Sequence, residues 1–200
     1  MVVTKLSTPI EVENIRKLRV GDTIYITGTV VLARDEGHKR LLELHEKEES
    51  PPISLEGLVL YHCGPVVKKN KKWEIVAAGP TTSTRMELFE DRVIEYYRIR
   101  VIIGKGGMGA KTTEAMKKYG AVYGAFVGGA AVLAAEAIKE VKDVKWLDLG
   151  TPEAFWILEV EDFGPLMVAI DSHGNNLFEN VKKTIFENKE KIYKKLGLMK

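Results

Sequence analysis

The segment Gly79-Pro80-Thr81-Thr82-Ser83-Thr84-Arg85 gathers the side chains best suited to hold an anion. It follows the apolar run Trp73–Ala78 and precedes Met86, Phe89, Val93 and Tyr97 at helical spacing. Strand, tight turn and helix start are therefore expected, with N–H groups, hydroxyls and a guanidinium aimed at one small volume. Helix capping by Thr82 or Ser83 accounts for one or two of these hydroxyls without any ligand. It does not account for Arg85, because a cation at a helix N-terminus opposes the dipole unless an anion intervenes.

A second cationic turn, Gly104-Lys105-Gly106-Gly107-Met108-Gly109, follows the apolar pair Ile102-Ile103. Its lysine precedes most of the glycines and no Lys-Ser/Thr pair closes it, so it fails as a phosphate loop. Read from Gly104 its glycines fit the Gly-x-Gly-x-x-Gly spacing, which alone is only a weak dinucleotide signal. Lys105 reads better as a point charge for a carboxylate. A third turn, Ala33-Arg34-Asp35-Glu36-Gly37-His38-Lys39, puts Arg34 at the mouth of a strand, where a guanidinium can clamp a carboxylate with two parallel hydrogen bonds. The plainer alternative is a helix start capped by Asp35, with Arg34 solvated. Asp171-Ser172-His173-Gly174-Asn175 is built of turn residues, so His173 is expected at the surface. His38, His45 and His62 show no ligand spacing, and Cys63 lacks an identifiable base. Taken together, the cationic turns suggest one site for a small multiply charged acid.

The elements that must carry these turns read as strand-rich first and alternating later. A short helical turn is expected near Glu11–Leu18, a strand over Asp22–Leu32 and a surface helix over Glu36–Glu49 stopped by Pro51-Pro52. Strands over Gly57–His62 and Trp73–Ala78 flank a lysine-rich hairpin tip at Lys68–Lys72. Then come helix 84–97, strand Ile99–Ile103, helix Ala110–Tyr119 ending at Gly120, strand Ala121–Val127, helix Ala130–Val141 and strand Lys145–Leu149. Two further strands, Ala154–Val160 and Leu166–Ile170, are expected around Glu161-Asp162-Phe163-Gly164, and an amphipathic helix from Asn180. The alternation implies crossover units and an α/β fold with a strand-rich layer and a mainly parallel α/β layer, in one domain over residues 1–200.

Bulk properties narrow the function classes. Thirty basic and twenty-eight acidic side chains leave a net charge of +2, which argues against nucleic acid as the main partner. No signal peptide and no membrane-length apolar run are read, so no membrane partner is expected and a cytoplasmic location is the default. One cysteine, Cys63, excludes an internal disulfide and a cysteine-rich metal site within the chain.

The four turns, in this order, resemble the β subunit of class I fumarate hydratase and its relative, the β subunit of L(+)-tartrate dehydratase. Ala33-Arg34-Asp35, Gly79–Met86 and Gly104–Met108 carry the resemblance, with Val59–Pro65 as a strand ending in Gly-Pro. Ser83-Thr84 departs from the small-residue pair, often Ala-Gly or Ser-Gly, at that place. The resemblance implies a swivelling β/β/α domain that closes over a dicarboxylate. It implies Arg34, Arg85 and Lys105 as carboxylate ligands and Thr81 as the residue that moves a proton; the residues themselves do not separate Thr81 from Thr82. It also implies a [4Fe–4S] cluster carried by an α subunit, none bound by this chain, and an α2β2 assembly. The implied activity is hydration of fumarate to L-malate, with L(+)-tartrate dehydration as the alternative. From the residues alone, a non-catalytic anion or nucleotide module is the competing reading.

Overall fold

The computed structural model describes residues 2–198. Its frame is a seven-stranded sheet of β1 (Val3–Ser7), β2 (Thr23–Leu32), β3 (Val59–Tyr61), β6 (Val101–Gly104), β7 (Val122–Ala125), β9 (Phe155–Ile170) and β8 (Ile138–Lys145), in that spatial order. A hairpin of β4 (Val66–Lys69) and β5 (Trp73–Ala77) forms a second, smaller sheet. The helices are α1 (Val12–Lys17), α2 (Asp35–Glu46), α3 (Glu90–Tyr97), α4 (Ala110–Tyr119), α5 (Ala131–Ala137) and α6 (Leu177–Lys195).

Four strands, β2, β3, β6 and β7, run parallel and in step, with Val30, Val59, Val101 and Val122 aligned across the sheet. Parallel neighbours need crossovers, and helices α2, α3 and α4 supply them. Alternate strand residues point to opposite faces. Val30, Leu32, Val59, Tyr61, Val101 and Ile103 enter one buried cluster, with Trp73 and Ile75 of the hairpin and Ala134 of α5. Val31, Leu60 and Ile102 enter the other, beneath Leu41, Val93, Ile94 and Met116 of the three crossover helices. The α/β architecture expected from the alternation is the one observed.

β9 is antiparallel to β2 along the whole of β2, while β2's other edge holds β1 and then β3. Because β9 also pairs with β7, the path β2–β3–β6–β7–β9 returns to β2 and the sheet closes on itself. This corrects the expectation of two strands, Ala154–Val160 and Leu166–Ile170. The polar stretch between them stays in the ladder as an irregularity, with Asp162 at φ 50° and register shifts opposite Ile26. A second correction concerns the helix expected over Ala130–Val141 and the strand over Lys145–Leu149. The helix stops at Ala137 and Ile138–Lys145 pairs with β9 instead. Leu147–Leu149 is a short 3-10 turn. Helix 84–97 is likewise divided into a 3-10 segment, Ser83–Leu88, and α3. α6 is amphipathic as expected, but only its first turn packs on the body, through Leu177 and Phe178; Val181, Ile185, Ile192 and Leu196 are exposed.

Candidate functional site

Leu32, Tyr61 and Ile103 lie side by side at the carboxyl ends of β2, β3 and β6. In parallel α/β sheets, open or closed, this is the end where ligands bind, because the loops leave there and are free to vary. Just beyond it stand Arg34, Gly64 and Lys105. The Thr81–Arg85 turn is fastened to the same end by its backbone. Thr81 N donates to the His62 carbonyl at 2.7 Å, Lys105 N to the Thr81 carbonyl at 3.3 Å and Ser83 N to the Lys105 carbonyl at 3.0 Å. Thr84 Oγ1 donates to the Gly107 carbonyl at 2.9 Å, which joins the two cationic turns a second time.

Arg85 uses its planar fork on Asp35, with Nε at 3.1 Å from Oδ1 and Nη2 at 3.0 Å from Oδ2. The same Nη2 donates to Thr81 Oγ1 at 2.8 Å. Burial works to raise the Asp35 pKa, but hydrogen bonds and charge from Arg85, helped by Arg34, outweigh it and hold the carboxyl below its usual range. Arg34 is half-buried, its Nε 3.2 Å from Glu153 Oε1 in an ion pair whose angle does not make a hydrogen bond. Gly64 makes room for it: a Cβ there would meet Arg34 Nη1 at 2.6 Å and the Pro152 carbonyl at 2.7 Å. Lys105 is exposed, and its stem runs past Gly128 into an apolar groove of about 670 Å³ lined also by Val127, Pro165, Met167 and Phe178.

The structure therefore brings Arg34, Thr81 and Arg85 together through Asp35 and the turn backbones, and ties the Lys105 backbone to Thr81. It separates the hydroxyls that were expected to converge. Thr82 makes no side-chain cap, and Ser83 is buried with its Oγ turned inward to His62 Nδ1 and Tyr123 Oη, both at 2.9 Å. Asp35 does not cap α2 either; Arg34 holds the capping position without a side-chain bond, and Glu153 Oε2 accepts from Glu36 N at 3.1 Å.

The N-terminus of α4, after the glycine loop, is already filled by a carboxylate. Glu87 accepts from Gly109 N at 2.6 Å, Lys111 N at 3.1 Å, Thr112 N at 3.3 Å and Thr112 Oγ1 at 2.7 Å. A phosphate would have to compete with that carboxylate for the same donors.

Three buried groups escaped the sequence reading: His38, His62 and Glu90, each fully shielded from solvent. Glu90 Oε2 lies 3.1 Å from His38 Nε2 and 2.7 Å from His62 Nε2. His38 Nδ1 faces the Arg34 carbonyl at 2.7 Å, so that nitrogen carries a hydrogen. Burial favours a protonated Glu90, yet the facing imidazoles outweigh it and hold its pKa down to about 2. Burial lowers the His62 pKa, whereas for His38 the Glu90 charge and hydrogen bond overcome burial and raise it. With His38 Nδ1 donating to the Arg34 carbonyl, an ionised Glu90 that accepts from both rings leaves His38 with a hydrogen on each nitrogen. A signal was present in the sequence: Glu90 stands on the apolar stripe of its helix, beside Val93 and Ile94. His173, expected at the surface, is exposed and contacts the Arg16 carbonyl at 2.9 Å. Cys63 is buried and its thiol is pushed up to about 12 by burial, with Arg34 and Tyr61 acting the other way.

These features define an α/β protein with a cationic site at the carboxyl ends of its central parallel strands. Residues 1–181 match the family model described as Fumarase C-terminus, and the chain belongs to this family. It is 46% identical over 192 residues to "L(+)-tartrate dehydratase subunit beta" of Escherichia coli (strain K12), covering 96% of this chain and 94% of that one. "Putative L(+)-tartrate dehydratase subunit beta" of Methanocaldococcus jannaschii is 44% identical over 188 residues, 93% of this chain and 95% of its own. "Putative fumarate hydratase class I" of Geobacillus stearothermophilus is 44% identical over 187 residues, which are 92% of this chain but 35% of that protein. One buried cysteine cannot furnish the several thiolates an iron–sulfur cluster requires, so this chain's residues do not fit such a cluster. No helix among the described residues is long and apolar enough to cross a membrane.

Proposed function

We propose that this chain, as one domain over residues 1–200, is the β subunit of a hydro-lyase that adds water to, or removes it from, a four-carbon dicarboxylate. The observation that carries the reading is that Thr81 bonds both Arg85 and the Lys105 backbone at the end of the sheet where Arg34 precedes Asp35, the partner of Arg85, in a chain of this family. In this reading Arg34, Arg85 and Lys105 bind the substrate carboxylates. Thr81 Oγ1 receives a hydrogen bond from Arg85, which stabilises negative character on that oxygen and suits it to move a proton at the carbon next to a carboxylate. Arg34 and Arg85 are paired with the carboxylates Glu153 and Asp35, so a substrate carboxylate would share or displace these partners. A partner α subunit then completes the site and carries the iron–sulfur cluster, in an α2β2 complex.

Hydration of fumarate to L-malate is the first reading. Dehydration of L(+)-tartrate is the second, favoured by the names of relatives that match this chain almost end to end. Pocket shape beside the reacting carbons, not charge, separates the two substrates. A nucleotide module is disfavoured by Glu87 at the α4 N-terminus. The test is co-expression with the adjacent α subunit, anaerobic reconstitution, and assay of fumarate and L(+)-tartrate side by side. Turnover of tartrate alone would remove the fumarase reading. No turnover of either, in a reconstituted complex, would remove both.

A further inference from the structure

The buried His38–Glu90–His62 group lies directly behind the proposed site, and each imidazole holds one of its turns. His38 Nδ1 donates to the carbonyl of Arg34 at 2.7 Å. His62 accepts Thr81 N on its own carbonyl at 2.7 Å, and its Nδ1 faces Ser83 Oγ at 2.9 Å. Both rings meet a single atom, Glu90 Oε2, while Glu90 Oε1 has no hydrogen-bond partner among the described residues. We propose that Glu90 is a positioning residue: by bridging His38 and His62 across the interior, it fixes the spacing between the turn that carries Arg34 and the turn that carries Thr81. The inference rests on the functional reading above for its consequence in catalysis, but not for its geometry.

A metal held by the same three residues is the competing use of this cluster. Ligand atoms sharing a tetrahedral zinc at about 2.0–2.1 Å lie roughly 3.3 Å apart. The 2.7 Å between His62 Nε2 and Glu90 Oε2 is a hydrogen-bond separation instead. The remaining ring nitrogens are engaged by the Arg34 carbonyl and Ser83.

The bridge needs a carboxylate. One oxygen accepts from a charged His38 and a neutral His62 together, and its negative charge balances the imidazolium. With Glu90→Gln the bridging atom is either an amide oxygen or an amide nitrogen. The oxygen would leave His38 charged without a counter-charge. The nitrogen would require both facing ring nitrogens to be bare, which moves the His62 hydrogen to Nδ1 and reverses the Ser83–Tyr123 chain. The first case costs an uncompensated buried charge and the second a reversed hydrogen-bond chain, so each weakens the anchor that the two turns share.

Hydrogen exchange on the full chain reads the bridge without any turnover. E90Q should speed exchange by about tenfold or more over residues 34–38 and 79–85, while β1 and β9 keep their protection. Unchanged protection in the two turns, or an equal loss in every strand, would overturn the proposal. If E90Q does not fold, Glu90→Asp, which keeps the charge one methylene short, is measured the same way and judged by the same two outcomes. In the complex with its partner subunit, E90Q and Arg34→Ala should each lower kcat/KM. E90Q should cost much less in the Arg34→Ala background than alone, because part of its effect passes through Arg34. Multiplicative losses would overturn the role in catalysis. Wild-type kinetics in Arg34→Ala would instead remove the functional reading, with the exchange result still deciding the bridge.

Discussion

Replacing Arg85 by lysine keeps the charge and removes the fork. Arg85 gives Nε and Nη2 to the two oxygens of Asp35 and a further Nη2 bond, at 2.8 Å, to Thr81 Oγ1. One ammonium cannot hold both Asp35 oxygens, steady Thr81 and meet a substrate carboxylate at the same time. A hydrogen bond to a charged group contributes about 1.5–3 kcal/mol. The side chain is 46% exposed, so the lower part of that range applies. About 1.5–2 kcal/mol corresponds to a loss of roughly 10- to 30-fold in kcat/KM. The loss should divide between KM, through the carboxylate contact, and kcat, through Thr81. Stability should hardly move, since an exposed ion pair contributes about 0–1 kcal/mol. Anaerobic steady-state kinetics of the reconstituted complex, with thermal unfolding of the same preparations, measure both. A kcat/KM within about threefold of wild type would refute the assignment. So would a loss that follows a collapse in thermal stability.

Gly104→Ala should destabilise the fold by about 1–3 kcal/mol, because a Cβ there would fall on Ser83 Oγ and press on Tyr123 Oη and His62 Nδ1; urea unfolding measures the change. Glu90 has a depressed folded pKa, so its stabilising contribution is present above the unfolded value of 4.5 and is lost as pH falls toward about 2. The urea midpoint of the wild type should therefore fall between these values, and that of E90Q should fall less steeply. Cys63 should resist a thiol-specific disulfide reagent at pH 8 in the native chain and react fully in denaturant, since burial keeps its thiol protonated; rapid native labelling would contradict the burial seen here.

Much of the frame could be read in the sequence because the periods were clean. α4 runs from Ala110 to Tyr119 and ends at Gly120 in the left-handed region, as its glycine signalled. The lysine-rich segment does turn back on β5, although Lys68 and Lys69 of the expected tip pair within β4. The failures lie where pairing partners far along the chain decided the outcome. Ala130–Val141 contains no helix breaker, yet Ile138 leaves the helix because β9 offers a ladder to the residues that follow. Glu161–Gly164 has the composition of a turn, but the long edge of β2 keeps it within the ladder, with Asp162 in the left-handed region. That the three cationic turns share one end of the sheet could be anticipated because each follows a strand; that Glu153 and Asp35 pair with Arg34 and Arg85 could not, because Glu153 lies far along the chain and Asp35 reads as a helix cap. The buried trio was not legible, because its members come from α2, the end of β3 and α3, and only the crossovers bring them together.

The seam between β2 and β9 has a consequence for biosynthesis. Thr29 and Glu159 face one another across it though 130 residues separate them in the chain. While the polypeptide is still emerging from the ribosome, β2 must wait with one edge bare until the last quarter has been made. Long-range pairing of this kind slows folding, and an unpaired edge invites association with other chains. Nascent chains arrested before β9 should therefore engage chaperones, and release through residue 170 should end that dependence.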